Sequence, residues 1–238
     1  MRVLSATLLL YAACQTAGEP APPERFAPPA DWESVSPLAF ERQVEALALR
    51  PGALDAADLA LLERALAYGD ERSVRAAVLL ARSRDPRAGR ALLRRLEERV
   101  SAPTRHGDAG DVVAAAALAG WSPTPDTAQR LAALAVGPRP HADIEVRVEC
   151  AAAALVAGRD EVVDFLLAVL ASQTPEQVLH PPDWETKRTM AWAKHRAARA
   201  LSRRAGVPCT FRPDGSYEHQ RTERLQLRSW VDCDGSSR

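Results

Sequence analysis

Isoleucine is almost missing from this chain: Ile144 is the only one in 238 residues, beside 18 Val and only 5% aromatics. The residues that favour strands are therefore scarce, while 46 Ala and 28 Leu favour helix. The composition predicts an all-α fold. Lysine is nearly missing too, with two against 29 Arg, yet 31 basic side chains meet 31 acidic ones for a net charge of zero. That balance argues against a phosphate-binding surface, so no nucleic-acid partner is expected. No apolar run is long enough to span a bilayer; the longest near the start, Val3 to Leu10, has eight residues. The chain has no glycine-rich phosphate loop and no Gly-x-Ser-x-Gly elbow. His106, His141, His180, His195 and His219 have no second His or Cys at helical ligand spacing. No catalytic residue, metal or cofactor is assigned from the sequence. An apolar content of 47% excludes disorder throughout.

From residue 38 onward, apolar periodicity predicts helices near 38–49, 56–68, 71–83, 87–100, 109–119, 126–136, 143–157, 160–171, 184–204 and 217–231. Asp55 with Asp58, Asp70, Asp126 and Asp160 are expected to accept first-turn N–H groups, and Pro86 suits a first helical position. Gly69, Gly120, Gly137, Gly158 and Gly206 follow helical runs where a left-handed residue would close them. Val74, Ala77, Val78 and Ala81 are read as one buried face, and Leu92, Leu93, Leu96 and Val100 as the next. Arg87, Arg90, Arg94 and Glu98 then face solvent. These two helices form an antiparallel hairpin around Arg84, Asp85 and Pro86. Comparable starts recur at Asp70, Asp108, Asp143 and Asp183, a spacing of roughly 35 to 40 residues that marks a helical-repeat array. Each unit has an Ala-rich first helix, plainest at Ala114 to Ala117 and Ala151 to Ala154. Small side chains there let helix axes approach closely, and each hairpin needs a neighbour to cover its open face.

The segments Asp70, Glu71, Arg72, Ser73, Val74, Arg75, Ala76, Ala77 and Asp143, Ile144, Glu145, Val146, Arg147 resemble the HEAT-repeat pattern, and Asp85-Pro86 resembles that family's turn between helices. The likeness covers roughly residues 55–205, weakest at 108–136, where Val112 and Val113 have no following Arg. It implies a short α-solenoid of antiparallel hairpins and a protein-binding or scaffolding role, and no reaction. Residues 187–231 are similar to the closing portion of bacterial HEAT-repeat proteins: a basic helix, Lys194 to Arg204, a loop, Phe211 to Ser216, and a final helix, Tyr217 to Trp230. This is read as a C-terminal helical cap. At the other end, Arg2, the apolar run and Leu10, Tyr11, Ala12, Ala13, Cys14 resemble a bacterial lipoprotein signal, with Tyr11 departing from the usual aliphatic residue. The resemblance implies lipidation at Cys14 and a membrane-anchored place in the cell envelope; an ordinary secretory signal cut nearby is the alternative. The expected organisation is a signal peptide at 1–13, a Pro-rich tether at 14–37, a HEAT-like domain at 38–205 and a cap and tail at 206–238.

Of the other cysteines, Cys150 is expected to be a buried small residue. Cys209 and Cys233 flank the last helix and form a candidate disulfide, given export to an oxidising compartment. Arg188, Trp192, Arg196, Arg199 and Arg203 share a stripe on the helix 184–204, opposite Met190, Ala193, Ala197 and Leu201. The stripe is a candidate surface for an anionic partner, set against a plain solvated face in an Arg-rich chain. The expected function is a non-enzymatic scaffold or interaction module that binds a protein or peptide. The alternatives are an envelope enzyme with its site on loops 101–108, 137–142 or 172–183, and a purely structural lipoprotein.

Overall fold

A computed structural model describes residues 37–49, 54–68, 71–100, 109–121, 123–172 and 184–235. These described residues form ten α-helices and no strand. They are α1 (Pro37–Leu49), α2 (Ala56–Ala67), α3 (Glu71–Ser83), α4 (Pro86–Glu98), α5 (Ala109–Ala119), α6 (Pro125–Val136), α7 (Ile144–Val156), α8 (Val163–Ala171), α9 (Trp184–Arg204) and α10 (Tyr217–Gly235). A 3-10 turn, Asp160–Val162, leads into α8. The signal with Cys14, the tether before Pro37, the loop 101–108, most of the loop 172–183, and Gly69 with Asp70 lie outside the described residues. Among the described residues no helix is long and apolar enough to cross a membrane.

Local chemistry sets most of the helix ends. Asp55 and Asp58 form a reciprocal capping box at α2, the Asp58 N–H donating to Asp55 Oδ1 at 2.8 Å. Between α3 and α4, Asp85 Oδ1 accepts the Arg87 N–H at 2.7 Å and Pro86 takes the first helical position. Arg84 turns that corner with φ +51°. Asp143 caps α7, accepting the Glu145 N–H at 2.7 Å. Two expected caps are different residues. Thr124 Oγ1 caps α6 with Pro125 behind it, which leaves Asp126 inside the first turn. Asp160 opens the 3-10 turn without capping, because its carboxylate receives the Arg204 Nε–H at 3.0 Å. Of the closing glycines, Gly158 (φ +84°) and Gly206 (φ +68°) are left-handed as expected, whereas Gly120 and Gly137 are not. Gly137 is extended, with φ −66°, and a Cβ there would stand 2.5 Å from the Ala133 carbonyl oxygen.

Alternate helices pack on one another. α3 lies against α1 and α5, α5 against α7, and α7 against α9; α2 lies against α4, α4 against α6, and α8 against α10. Neighbours in sequence close the gap between these two sets, as in α2 on α3, α6 on α7 and α8 on α9. Close approach depends on alanine: Ala76, Ala77, Ala114, Ala115, Ala151, Ala153, Ala154 and Ala197 are fully buried. Leu62, Leu80, Leu92, Leu96, Leu131, Leu166 and Leu201 fill the space between, each contributing about 2 kcal/mol by burial. The α4 faces are as read, with Leu92, Leu93 and Leu96 inside and Arg87, Arg90, Arg94 and Glu98 exposed. The α3 face is rotated. Ser73, Ala76, Ala77, Leu79 and Leu80 are buried and Val74, Val78 and Ala81 only partly so, because α3 is enclosed by α1, α2, α4 and α5 rather than by one neighbour.

Ion pairs follow the same order. Glu45 of α1 meets Arg75 of α3 (3.8 Å), Glu63 of α2 meets Arg94 of α4 (3.7 Å), and Glu97 of α4 meets Arg130 of α6 (2.6 Å). Glu149 of α7 meets Arg196 of α9, and Asp164 of α8 meets Arg228 of α10 (2.9 Å). In these five pairs the acid is on the earlier helix and the arginine two helices later, whereas Asp111 of α5 pairs with arginines that precede it in sequence. Trp121, just after α5, donates its indole N–H to the Ala81 carbonyl of α3 at 3.1 Å and lies over Gly89 of α4, where a Cβ would come within 2.9 Å of the ring. At the C-terminal end α10 packs on α8 and α9 with Leu227 buried. It continues through Cys233 to Gly235, past the expected end at 231.

Candidate functional site

The predicted stripe on α9 divides into residues with different jobs. Arg188, Arg199 and Arg203 are exposed, and among the described residues none of the three has a carboxylate partner. Trp192 is half-buried and packs against the core, so it anchors α9 rather than presenting a ring to solvent. Arg196 is spoken for: its Nε–H donates to Glu149 Oε1 at 2.6 Å and its Nη2 to Oε2 of the same carboxylate, a bidentate pair. Glu149 is only 2% exposed, so this arginine neutralises a buried charge. Two neighbours counted with the basic stretch also turn inward. Lys194 is buried, its Nζ donating to Gln220 Oε1 of α10 at 3.1 Å, and burial pulls its pKa below the usual lysine value. Arg204 holds Asp160.

Arg196, Arg199 and Arg203 edge a shallow groove floored by Ala119 at the end of α5, Ala152 and Val156 of α7, and Ala200 of α9. Its enclosed volume, about 30 Å³, suits a water or two and not a metabolite, for which pockets are typically ten times larger. Val156 is 47% exposed, a large apolar side chain left open beside the arginines. The backbone carbonyls at the three helix ends around this groove are already bonded: Ala116 and Ala117 to the Gly120 N–H, Ala154 to the Arg159 N–H, and Leu201 to the Ala205 N–H. The guanidinium groups of Arg199 and Arg203 therefore do not serve as caps. Partial burial and the fields of Arg199 and Arg196 hold the adjacent His195 imidazole below the ordinary histidine range.

A second polar cluster lies inside. Asp111 on α5, 2% exposed, accepts from Arg95 Nε of α4 at 3.0 Å and from Nε of Arg99, the residue just past α4, at 3.1 Å. His141, 3% exposed, stands near Asp111 and Arg99 and accepts the Asp143 N–H on Nδ1 at 3.1 Å. Burial pushes its pKa down, and among the described residues its Nε2 and Asp143 Oδ2 have no hydrogen-bond partner. The sequence reading assigned Arg95, Arg99 and Asp111 no role, although Arg95 breaks into the Leu92–Leu96 stripe and Asp111 opens an otherwise apolar helix. Either irregularity signals a buried pair.

Other candidate groups do not converge here. Among the described residues no three His, Cys, Asp or Glu side chains are arranged to hold a metal ion. His106, Asp108, His180 and Asp183 lie outside the described residues. Cys150 is buried, as expected. Cys209 is exposed with a free thiol, and the side chain of Cys233, its candidate bridge partner, lies outside the described residues. Thr210, next to Cys209, bonds Glu223 of α10. Compared with models of protein families, with characterised proteins and with solved structures, this chain finds no match.

Proposed function

We propose that this chain is a HEAT-like α-solenoid, anchored by a lipid on Cys14 to the outside of a bacterial cytoplasmic membrane or to an outer membrane, that binds a protein or peptide partner and catalyses no reaction. The observation that carries the reading is a set of five acid–arginine pairs, each joining a helix to the next but one with the acid on the earlier helix. A bundle wrapped about one nucleus has no reason to repeat that direction; stacked hairpins do, since each adds one helix to each of two rows. The Ala-rich, tightly packed row α3, α5, α7, α9 supports the same reading, with α10 as its cover. A rigid row of this kind presents a preformed surface and lowers the ordering cost of binding.

Two observations favour binding over a purely structural lipoprotein: among the described residues Arg199 and Arg203 have no carboxylate partner, and Val156 is open beside them. Of the loop residues on which the enzymatic alternative relies, His141 is the described one, and it is 3% exposed. The address is tested by intact-mass analysis of chain extracted from membranes: a chain starting at Cys14 with acyl mass is expected, and an unmodified Cys14 overturns the anchor. Binding is tested by photo-crosslinking residues placed at exposed positions along α9 and α4 in intact envelopes. A discrete adduct from one face is expected, and no adduct from any position overturns the binding role.

A further inference from the structure

We infer that the groove edged by Arg196, Arg199 and Arg203 is a docking surface for an extended acidic peptide segment whose carboxylates stand on alternate residues. The inference rests on the binding role proposed above and gives that partner its chemistry. Arg199 and Arg203 are one helical turn apart, a rise of about 6 Å along α9. Side chains at positions i and i+2 of an extended strand are about 6.6 Å apart and point the same way. Two alternate carboxylates of an extended segment therefore meet the two free guanidinium groups in register, each by a bidentate, charge-assisted pair.

The residue between them points to the opposite side of the segment, and the aliphatic stems of the acidic residues lie on the floor of Ala119, Ala152, Ala200 and the half-open Val156. Alanine keeps that floor flat, which admits an extended chain and leaves no depth for a bulky ring. Among the described residues no carboxylate compensates the charge of Arg199 and Arg203. Glu149 is consumed by Arg196, and the neighbouring acid Glu161 pairs with Arg159 at 2.7 Å. Arg196 cannot swing out to bind without abandoning a buried carboxylate, so it edges the groove while Arg199 and Arg203 make the contacts.

The test uses the full-length chain in detergent and a short fluorescent peptide alternating glutamate with valine, read by anisotropy at low and physiological salt. Three comparison probes are the same peptide with glutamine for glutamate, one with its glutamates contiguous, and vesicles containing anionic lipid. Saturable binding of the alternating peptide, at least about tenfold weaker for the glutamine version, is expected. Arg199→Glu with Arg203→Glu should weaken it by about tenfold or more, while Arg188→Glu, at another exposed arginine of α9 with no carboxylate partner among the described residues, should leave it within twofold. Circular dichroism confirming an unchanged helix signal keeps a loss of binding from being a loss of fold. Equal weakening by Arg188→Glu, equal binding of the contiguous peptide, or preferential capture by vesicles overturns the inference. If envelope crosslinks persist from α9 or α4 in the Arg199→Glu/Arg203→Glu chain, the inference fails and the broader binding role stands; if crosslinks are lacking everywhere, it is the broader role that fails.

Discussion

Replacing Arg196 with methionine should destabilise the protein by about 3 kcal/mol. Glu149 is 2% exposed, and its two carboxylate oxygens are held by the Arg196 guanidinium. Removing one partner of a buried pair typically costs about 3–5 kcal/mol, because the remaining charge stays desolvated. Arg196 is 29% exposed, so water can reach the vacated space and the low end of that range applies. With a urea slope of about 2–3 kcal/mol/M for a chain of this size, the unfolding midpoint should fall by about 1 M with the slope unchanged. Pairing Arg196→Met with Glu149→Leu removes the orphaned charge and should recover most of the loss, whereas Arg199→Met should shift stability by less than about 0.5 kcal/mol. A single Arg196→Met chain as stable as the parent would refute the division of this stripe into one structural and two free arginines.

Three further outcomes follow from the same contacts. Gly89→Ala gains about 1 kcal/mol in helix propensity but drives a Cβ to 2.9 Å from the Trp121 ring, so it should lose about 1–2 kcal/mol overall in urea titrations; combined with Trp121→Leu the gain should reappear. His141 is neutral in the fold because burial depresses its pKa, so the unfolded chain takes up a proton first, near pH 6.5, and stability present above that pH is lost as pH falls through it. His141→Asn, which keeps an acceptor for the Asp143 N–H, should flatten the drop in Tm between pH 7 and about pH 5.5, and an undiminished drop would remove His141 as its source. Cys209 should react with a maleimide in the native protein without reductant, whereas Cys150, buried and with its thiol pKa raised by burial, should react only after unfolding; a Cys209 that needs reductant first would restore the bridge to Cys233.

Most helix bounds were legible because apolar periodicity and punctuation agree: Pro86 and Asp85 start α4, Asp143 starts α7, Gly158 and Gly206 end theirs. The errors are of one kind. The sequence pattern puts a cap on Asp160 and surface charge on Arg196, yet each is taken by a partner distant in sequence: Arg204 and Glu149. Such partners depend on which helices become neighbours, which local spacing does not encode. The α3 face was misjudged for the same reason, since four surrounding helices bury more than one stripe. Part of the candidate surface was visible, as Arg199 and Arg203 at one-turn spacing. Its floor was not, because Ala119, Ala152 and Val156 come from two other helices that only tertiary packing brings beside α9.

The distance between α3 and α9 tests the stacked arrangement most directly. Spin labels at Arg75→Cys and Arg199→Cys, with Cys209 and Cys233 changed to serine, can be read by double electron–electron resonance. Three steps along the row from α3 through α5 and α7 to α9, at about 9 Å each, place the labels about 27 Å apart or more. A narrow distribution at or beyond that value is the predicted result; one centred at about 15–20 Å, the span of helices gathered round a common core, would contradict it.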